Sequence, residues 1–434
     1  MSQKRSFNPF AGLPNKREVF AWGMYDLANQ SFTLLINTLL FSIYVKKVIV
    51  HDEKAGDRWW AIMTATSLFI VVLLSPVLGA LADARRWRKE MLIATGLICS
   101  LLTTGLALTG ADTLILALLL YIPANICFEL GENFLASFLP DVSTPRNIGK
   151  ISALGWTMGY SGAILLMVCL AVGTFAFGLT DAMDWRPFFV FAGLWFFAAM
   201  LPAMFILREQ PREVERGHNV LAQAFGRLAH TVRDASRFKH LVRFLIAFFV
   251  YGFGVQTMIK FSAIIATDFG VQEKALVFFA LQISVTAGLT TFIVSKFQDR
   301  VGARAIVIAF LGVWIGVALA LLWMTTLTNR PQWLFWIVGN GIGIGLGGIG
   351  TSSRSMVGVF TPKNRAAEFF GLWGMSYKLA GAIGVLSFGL VKAWLGNTNA
   401  MILLTTFFAV GLVLMLPVSE KQGMIAKHRA ERIR

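Results

Sequence analysis

The sequence predicts an all-α membrane protein with twelve transmembrane helices in two six-helix bundles and both termini in the cytoplasm. Three observations carry that expectation: an apolar excess in composition, apolar runs of membrane-crossing length, and basic residues gathered on one side. Of the 434 residues 56% are hydrophobic and only 14% are charged, whereas a soluble domain carries about a quarter of its residues as charges. The mean hydropathy is +0.67, an excess that lipid can hide and one soluble core cannot. The 37 phenylalanines and 40 glycines suit apolar helices packed closely through small residues.

A span needs about 20 mostly apolar residues. On that ruler the spans fall at 19–45, 58–82, 90–110, 113–138, 149–177 and 187–207, and again at 241–268, 274–296, 304–327, 332–357, 366–394 and 399–417. The organisation is therefore a first bundle over 1–207, a linker over 208–240, a second bundle over 241–417 and a basic tail over 418–434. In the linker Leu221, Phe225, Leu228, Val232 and Ala235 recur at helical spacing among basic residues, which predicts an amphipathic helix on the inner membrane surface. The polar start, Met1 to Glu18, lacks the short apolar core of a removable signal peptide.

Orientation follows from the loops. Lys4, Arg5, Lys16, Arg17, Arg85, Arg86, Arg88, Lys89, Arg146, Lys150, Arg300, Arg304, Lys363 and Arg365 fall on the side of the tail, while the other side has Lys46, Lys47, Lys54, Arg58, Arg186, Lys274 and Arg330. Basic loops stay inside, so both ends are cytoplasmic and the cell's inner membrane is the expected location. The net charge of +16 then reads as an orientation signal rather than a nucleic-acid surface. Cys99, Cys127 and Cys169 lie in apolar runs and the five histidines share no ligand spacing, so neither a disulfide framework, a metal centre nor a cofactor is expected.

Two loops at equivalent places carry one signature: Gly79-Ala-Leu-Ala-Asp83-Ala-Arg85-Arg86-Trp-Arg88-Lys89 after span 2, and Asp299-Arg300-Val-Gly302-Ala-Arg304 after span 8. An acidic residue at a helix end followed by arginines can pair with neighbouring helix ends in one conformation and release them in another. These loops resemble the conserved loop motif of the major facilitator superfamily, with Ala84, Arg86 and Trp87 departing from it in the first copy. The resemblance implies the major-facilitator fold.

A narrower likeness covers most of the chain. Trp22-Gly-Met-Tyr25-Asp26-Leu-Ala28-Asn29, Phe138-Leu-Pro140-Asp141 with Gly155-Trp156-Thr-Met-Gly159-Tyr160, Gly254-Val-Gln256-Thr257-Met-Ile-Lys260, and Ser353-Arg354-Ser355 with Glu368-Phe369-Phe370-Gly371 resemble the vacuole-effluxer-like family in the right order. That resemblance implies a carrier, since the family includes fungal vacuolar carriers that release amino acids. Phe253 and Tyr377 stand where the family often has acidic residues, and span 4 lacks the arginine typical of proton antiporters, which weakens an ion-coupling mechanism carried over from it.

A charge at membrane depth costs several kcal/mol, about 3 on insertion scales, so each needs a partner, a water-filled cavity or a function. The first bundle has Asp26 and Asn29 in span 1 and Asn125, Glu129, Glu132 and Asn133 in span 4, where the spacing of four aligns Asn125, Glu129 and Asn133 on one face. The second bundle offers Gln256 and Lys260 in span 7, Tyr377 and Lys378 in span 11, and Arg354 near the inner end of span 10. An acidic wall facing a basic wall suits a zwitterion, and Trp156 and Tyr160 in span 5, with Trp373, are aromatic candidates to touch it. The gating candidates are Asp83, Arg85, Arg88, Asp299, Arg300, Arg304, Arg354 and Glu368, and Arg354 is also placed where it could pair with Asp83 or Glu368.

Bland readings apply elsewhere. Gly345-x-Gly347-x-x-Gly350 matches a dinucleotide fingerprint, but no strand precedes it, so the span 10 glycines read as helix packing. Trp59 and Trp60 read as interface-belt residues. The expected function is a monomeric secondary carrier of a small polar solute, an amino acid or related zwitterion with efflux favoured, coupled to a proton or sodium ion and embedded in membrane lipid. The alternatives are uptake of an organic acid, nucleoside or peptide, or a receptor or scaffold without transport. No enzyme motif is present, and no nucleic-acid partner is expected.

Overall fold

The computed structural model describes residues 13, 15–144, 148–210, 226, 229, 233–328, 331–362 and 366–432. The helices are α1 (Lys16–Ile49), α2 (Glu53–Arg85), α3 (Arg88–Leu108), α4 (Leu114–Ser137), α5 (Ile148–Ala176), α6 (Arg186–Ile206), α7 (Lys239–Asp268), α8 (Leu276–Val301), α9 (Ala303–Thr326) and α10 (Gln332–Phe360). Eleven of the described helices are long and apolar enough to cross a membrane, and the last of them runs for 48 residues, Glu368–Met415. Within it Gly396 adopts φ 86° and ψ 174°, a conformation open to glycine, and divides it into α11 (366–395) and α12 (397–415). The twelfth span is thus gained at a one-residue turn rather than a loop. A tail helix, α13 (Glu420–Arg432), follows.

Helix ends are set by local chemistry. Asp52 caps α2 by accepting the Ala55 N–H at 2.6 Å, and Arg86 closes its other end in the left-handed conformation at φ 57°. Gly302, at φ 92°, makes the sharp turn between α8 and α9, and the α13 side chain Glu420 accepts the Arg304 N–H at 3.0 Å there. The amphipathic helix expected in the linker lies largely outside the described residues, as do Lys4, Arg5, Arg146, Arg330, Lys363 and Arg365.

α1 is not uniformly α-helical. It winds as a π-helix over Ser31–Leu39 and again over Val45–Ile49, with the Thr38 hydroxyl donating to the Thr33 carbonyl at 2.8 Å, five residues back. Such windings are uncommon and recur near functional sites.

Small residues let helices approach. Gly155 and Gly159 of α5 lie against Trp22 and Asp26 of α1, Gly384 of α11 against the Phe253 backbone of α7, and Gly389 of α11 against Ala61 of α2. On α10, Gly343 and Gly347 meet α8 while Gly345 and Gly348 meet α9, the close packing that the glycine run predicts. The first six helices meet the last six along α2–α11, α1–α7 and α5–α8, and in the last of these Phe175 stacks on Phe278 with ring centroids 5.5 Å apart.

Candidate functional site

The intramembrane charges converge between the two sets of helices. Glu129 of α4 pairs with Lys378 of α11, whose ammonium also donates to the Glu129 carbonyl at 3.1 Å. Lys260 of α7 lies within electrostatic reach of both. One turn along α4, Glu132 accepts a hydrogen bond from the Asn29 side chain of α1 and faces Asp26, Lys378 and Glu129. Asp26 in turn faces Arg354 of α10. Three acids and three bases from five helices therefore form one neutral cluster, negative around Asp26 and Glu132 and positive around Lys260 and Lys378.

Parts of this cluster have bonding capacity to spare. The Asn29 side-chain oxygen is buried without a hydrogen-bond partner, and so is the Trp373 indole N–H. The Trp373 ring stacks on Tyr377, centroids 6.3 Å apart and 12° from parallel, with Phe248 beside both. Gln256 reaches the Tyr377 carbonyl at 3.4 Å, and Tyr160 of α5 stands by Thr291 of α8 and by Asp26. The Trp156 side chain lies outside the described set.

Asn125 differs from its expected place on a cavity wall. Its side chain is fully buried, accepting from Asn37 at 2.9 Å and donating to Ser67 at 2.6 Å, in a network that Tyr121 and Thr64 complete. Polar groups sealed from water need such partners, so Asn125 knits α1, α2 and α4 together. Asn133, on the same face of α4, likewise turns to Ser75 of α2 at 2.9 Å.

Far from the termini lies a second charged group that sequence reasoning missed. Lys46 of α1 is 2.7 Å from Asp268 of α7 and 3.5 Å from Asp57 of α2. Lys392 of α11 pairs with Asp57 and stands 2.9 Å from Asp268. The four side chains are 2–8% exposed. Each half of the chain supplies one lysine and one aspartate, so every attraction across the lattice ties halves or neighbours together. Nearby, Lys47 reaches Glu273 at 2.5 Å, and the Trp60 indole donates to the Lys260 carbonyl at 2.9 Å. Trp60 is fully buried, which corrects its reading as an interface-belt residue. Lys392 was the available signal: an intramembrane lysine in an apolar run, close enough to the span end to pass as loop charge.

The end that carries the termini is built differently. Arg88 pairs with Asp141 at 2.9 Å and Glu209 at 3.0 Å, and lies 3.8 Å from Asp83, all within the first six helices. Arg85 lies over the Trp87 ring at 4.7 Å. In the second copy of the loop Arg304 donates to the Leu416 carbonyl at 2.8 Å, Arg300 is exposed and the Asp299 side chain lies outside the described set. Arg354 and Glu368 are exposed, and Arg354 lies within electrostatic reach of Asp26. The described loop contacts stay within their own half, while the polar ties between halves gather at mid-membrane and at the opposite end.

This architecture is that of an MFS-type transporter, not an enzyme. It superposes on the D-xylose–proton symporter with a TM-score of 0.73 at 15% identity, covering 94% of this chain and 98% of that one. The nucleoside transporter NupG gives 0.69 at 13% identity, covering 94% and 99%. The vacuole effluxer Atg22-like family profile matches residues 59–428, and the chain belongs to that family. It is similar to an uncharacterised MFS-type transporter of Bacillus subtilis, YxiO, with 26% identity over 416 residues covering 92% of this chain and 94% of that protein. It is also similar to autophagy-related protein 22 of Kluyveromyces lactis, at 22% identity over 93% and 92% of the two chains.

Proposed function

We propose that this MFS-type transporter is a secondary active carrier that exports an amino acid or related zwitterion by alternating access between its two halves. The observation that carries the reading is the dipolar mid-membrane cluster. A zwitterion's ammonium finds Glu132, Asp26 and the unpartnered Asn29 oxygen, and its carboxylate finds Lys260 and Lys378. Trp373 and Tyr377 give an aromatic face for the remainder of the solute.

In this reading the end with the termini faces the cytoplasm of a cell's inner membrane, as the basic loops require. The Lys46–Asp57–Asp268–Lys392 lattice closes the outer end, and the exposed Arg354 stands at the inner opening. The functional unit is a monomer. A proton or sodium ion is the coupling ion, with Asp26 and Glu132 the carboxylates placed to exchange it.

The test is counterflow in proteoliposomes with labelled amino acids, nucleosides, sugars and organic acids, under imposed proton and sodium gradients. The reading expects amino acids alone to exchange, with at least tenfold loss in Lys378→Ala. Exchange of nucleosides or sugars instead, or an unaltered variant, would count against it.

A further inference from the structure

Lys260 has more charge than its surroundings answer. The residue is 5% exposed, yet its ammonium has no hydrogen-bond or ion-pair partner among the described residues. Its position is fixed, because the Trp60 indole from the other half holds its backbone carbonyl at 2.9 Å. The opposite charge within its electrostatic reach is Glu129, which Lys378 already engages through both its carboxylate and its carbonyl. Lys260 thus has only a carboxylate that Lys378 already holds, and an uncompensated buried cation is costly.

The molecule shows elsewhere what balance looks like. At the outer end two lysines, Lys46 and Lys392, stand with two aspartates, Asp57 and Asp268, and each charge has opposite neighbours. At mid-membrane Lys378 holds Glu129 and faces Glu132, while Lys260 has no bonded anion of its own among the described residues. We propose that the missing anion is the carboxylate of the cargo and that Lys260 is the specificity residue that demands it. The cargo carboxylate docks between Lys260 and Lys378 and competes with Glu129 for Lys378. Glu129–Lys378 is the ion pair that joins the halves at mid-membrane, so an anionic group loosens that tie whereas an amine without a carboxylate leaves it in place.

This rests on the proposed amino-acid site, and two readouts separate the claims. The first is thermal unfolding of the full-length purified protein with three matched pools: amino acids, the amines left by their decarboxylation, and the corresponding 2-oxo acids. Amino acids and 2-oxo acids should raise Tm by a few degrees in the wild type, and the amines should not. Lys260→Gln should lose the 2-oxo-acid shift, Lys260→Arg should keep it, and Lys260→Gln without ligand should unfold no lower than wild type because it removes an unanswered charge. The second readout is counterflow of the same pools, in which Lys260→Gln should exchange amino acids at least tenfold more slowly. A carboxylate-dependent shift that survives in Lys260→Gln overturns the proposal. Its loss in that variant, with no amino-acid counterflow in the wild type, would sustain the Lys260 assignment and overturn the transport reading instead.

Discussion

The Lys46–Asp57–Asp268–Lys392 lattice and the mid-membrane cluster use the same side-chain chemistry to opposite ends. In the lattice Lys46, Asp57, Asp268 and Lys392 each meet opposite charges, and all four are nearly sealed from solvent. In the cluster one pair, Glu129–Lys378, is closed, while Lys260 and the Asn29 oxygen retain unused capacity. Buried charge balanced by opposite neighbours holds a shape, even though one lattice oxygen, Asp57 Oδ1, lacks a hydrogen bond. A buried charge with no bonded partner can take one from a ligand, and in the proposed carrier that ligand is cargo. On the proposed function, the difference between the two regions is that between a gate and a binding site.

The lattice should give the largest effect. Asp268→Ala leaves two buried lysines on one aspartate, and breaking a buried pair costs about 3–5 kcal/mol. With Cys99, Cys127 and Cys169 replaced by alanine, a cysteine at Ala61, now buried against Gly389, should become reactive to impermeant maleimide from the outer side when Asp268→Ala is added. Unchanged protection would show that the lattice does not seal this end.

The cluster should respond unequally to loss of its two partners. Lys378→Gln leaves Glu129 a second cation in Lys260, whereas Glu129→Gln leaves Lys260 without a carboxylate and Lys378 with only Glu132 beside it. Glu129→Gln should therefore lower Tm more than Lys378→Gln, although both should slow transport at least tenfold. Equal losses in Tm would remove Lys260 from the vicinity of Glu129 and merge the cluster with the lattice as a fully paired structure.

Two smaller changes bracket the comparison. Gly389→Leu forces α2 and α11 apart where Gly389 touches Ala61, an overpacking cost of about 1–3 kcal/mol. It should slow transport by holding the outer end ajar, measurable by the same maleimide protection. Asn133→Ala removes a single hydrogen bond to Ser75, a loss of about 1 kcal/mol. It should shift Tm slightly and leave exchange intact, because Asn133 belongs to the frame of the first six helices.

Much of this was legible in the sequence, for physical reasons that also mark where legibility stopped. Hydropathy exposes helices because lipid tolerates little else, and it separates the spans even where, at Gly396, the chain needs only one residue to turn. Glu129, Glu132, Lys260 and Lys378 are conspicuous because charge is rare at membrane depth. Asp57, Asp268 and Lys46 are not, because they sit at helix ends where a charge is ordinary, and only the fold brings them together with Lys392. Asn125 shows the converse. Its spacing aligns it with Glu129, yet α2 covers it, and spacing along one helix cannot say which neighbour covers a face.

If the proposed function holds, cargo that loosens Glu129–Lys378 in the cluster should also open the Lys46–Asp57–Asp268–Lys392 lattice. Cysteines at Ala61 and at Gly350, the latter on the Arg354 face of α10, report the two ends of the molecule in one alanine-replaced background. Adding an amino-acid pool should raise labelling at position 61 from outside and lower it at position 350 from inside, in proportion to one another. Labelling that changes at neither position, or rises at both together, would contradict alternating access through this site.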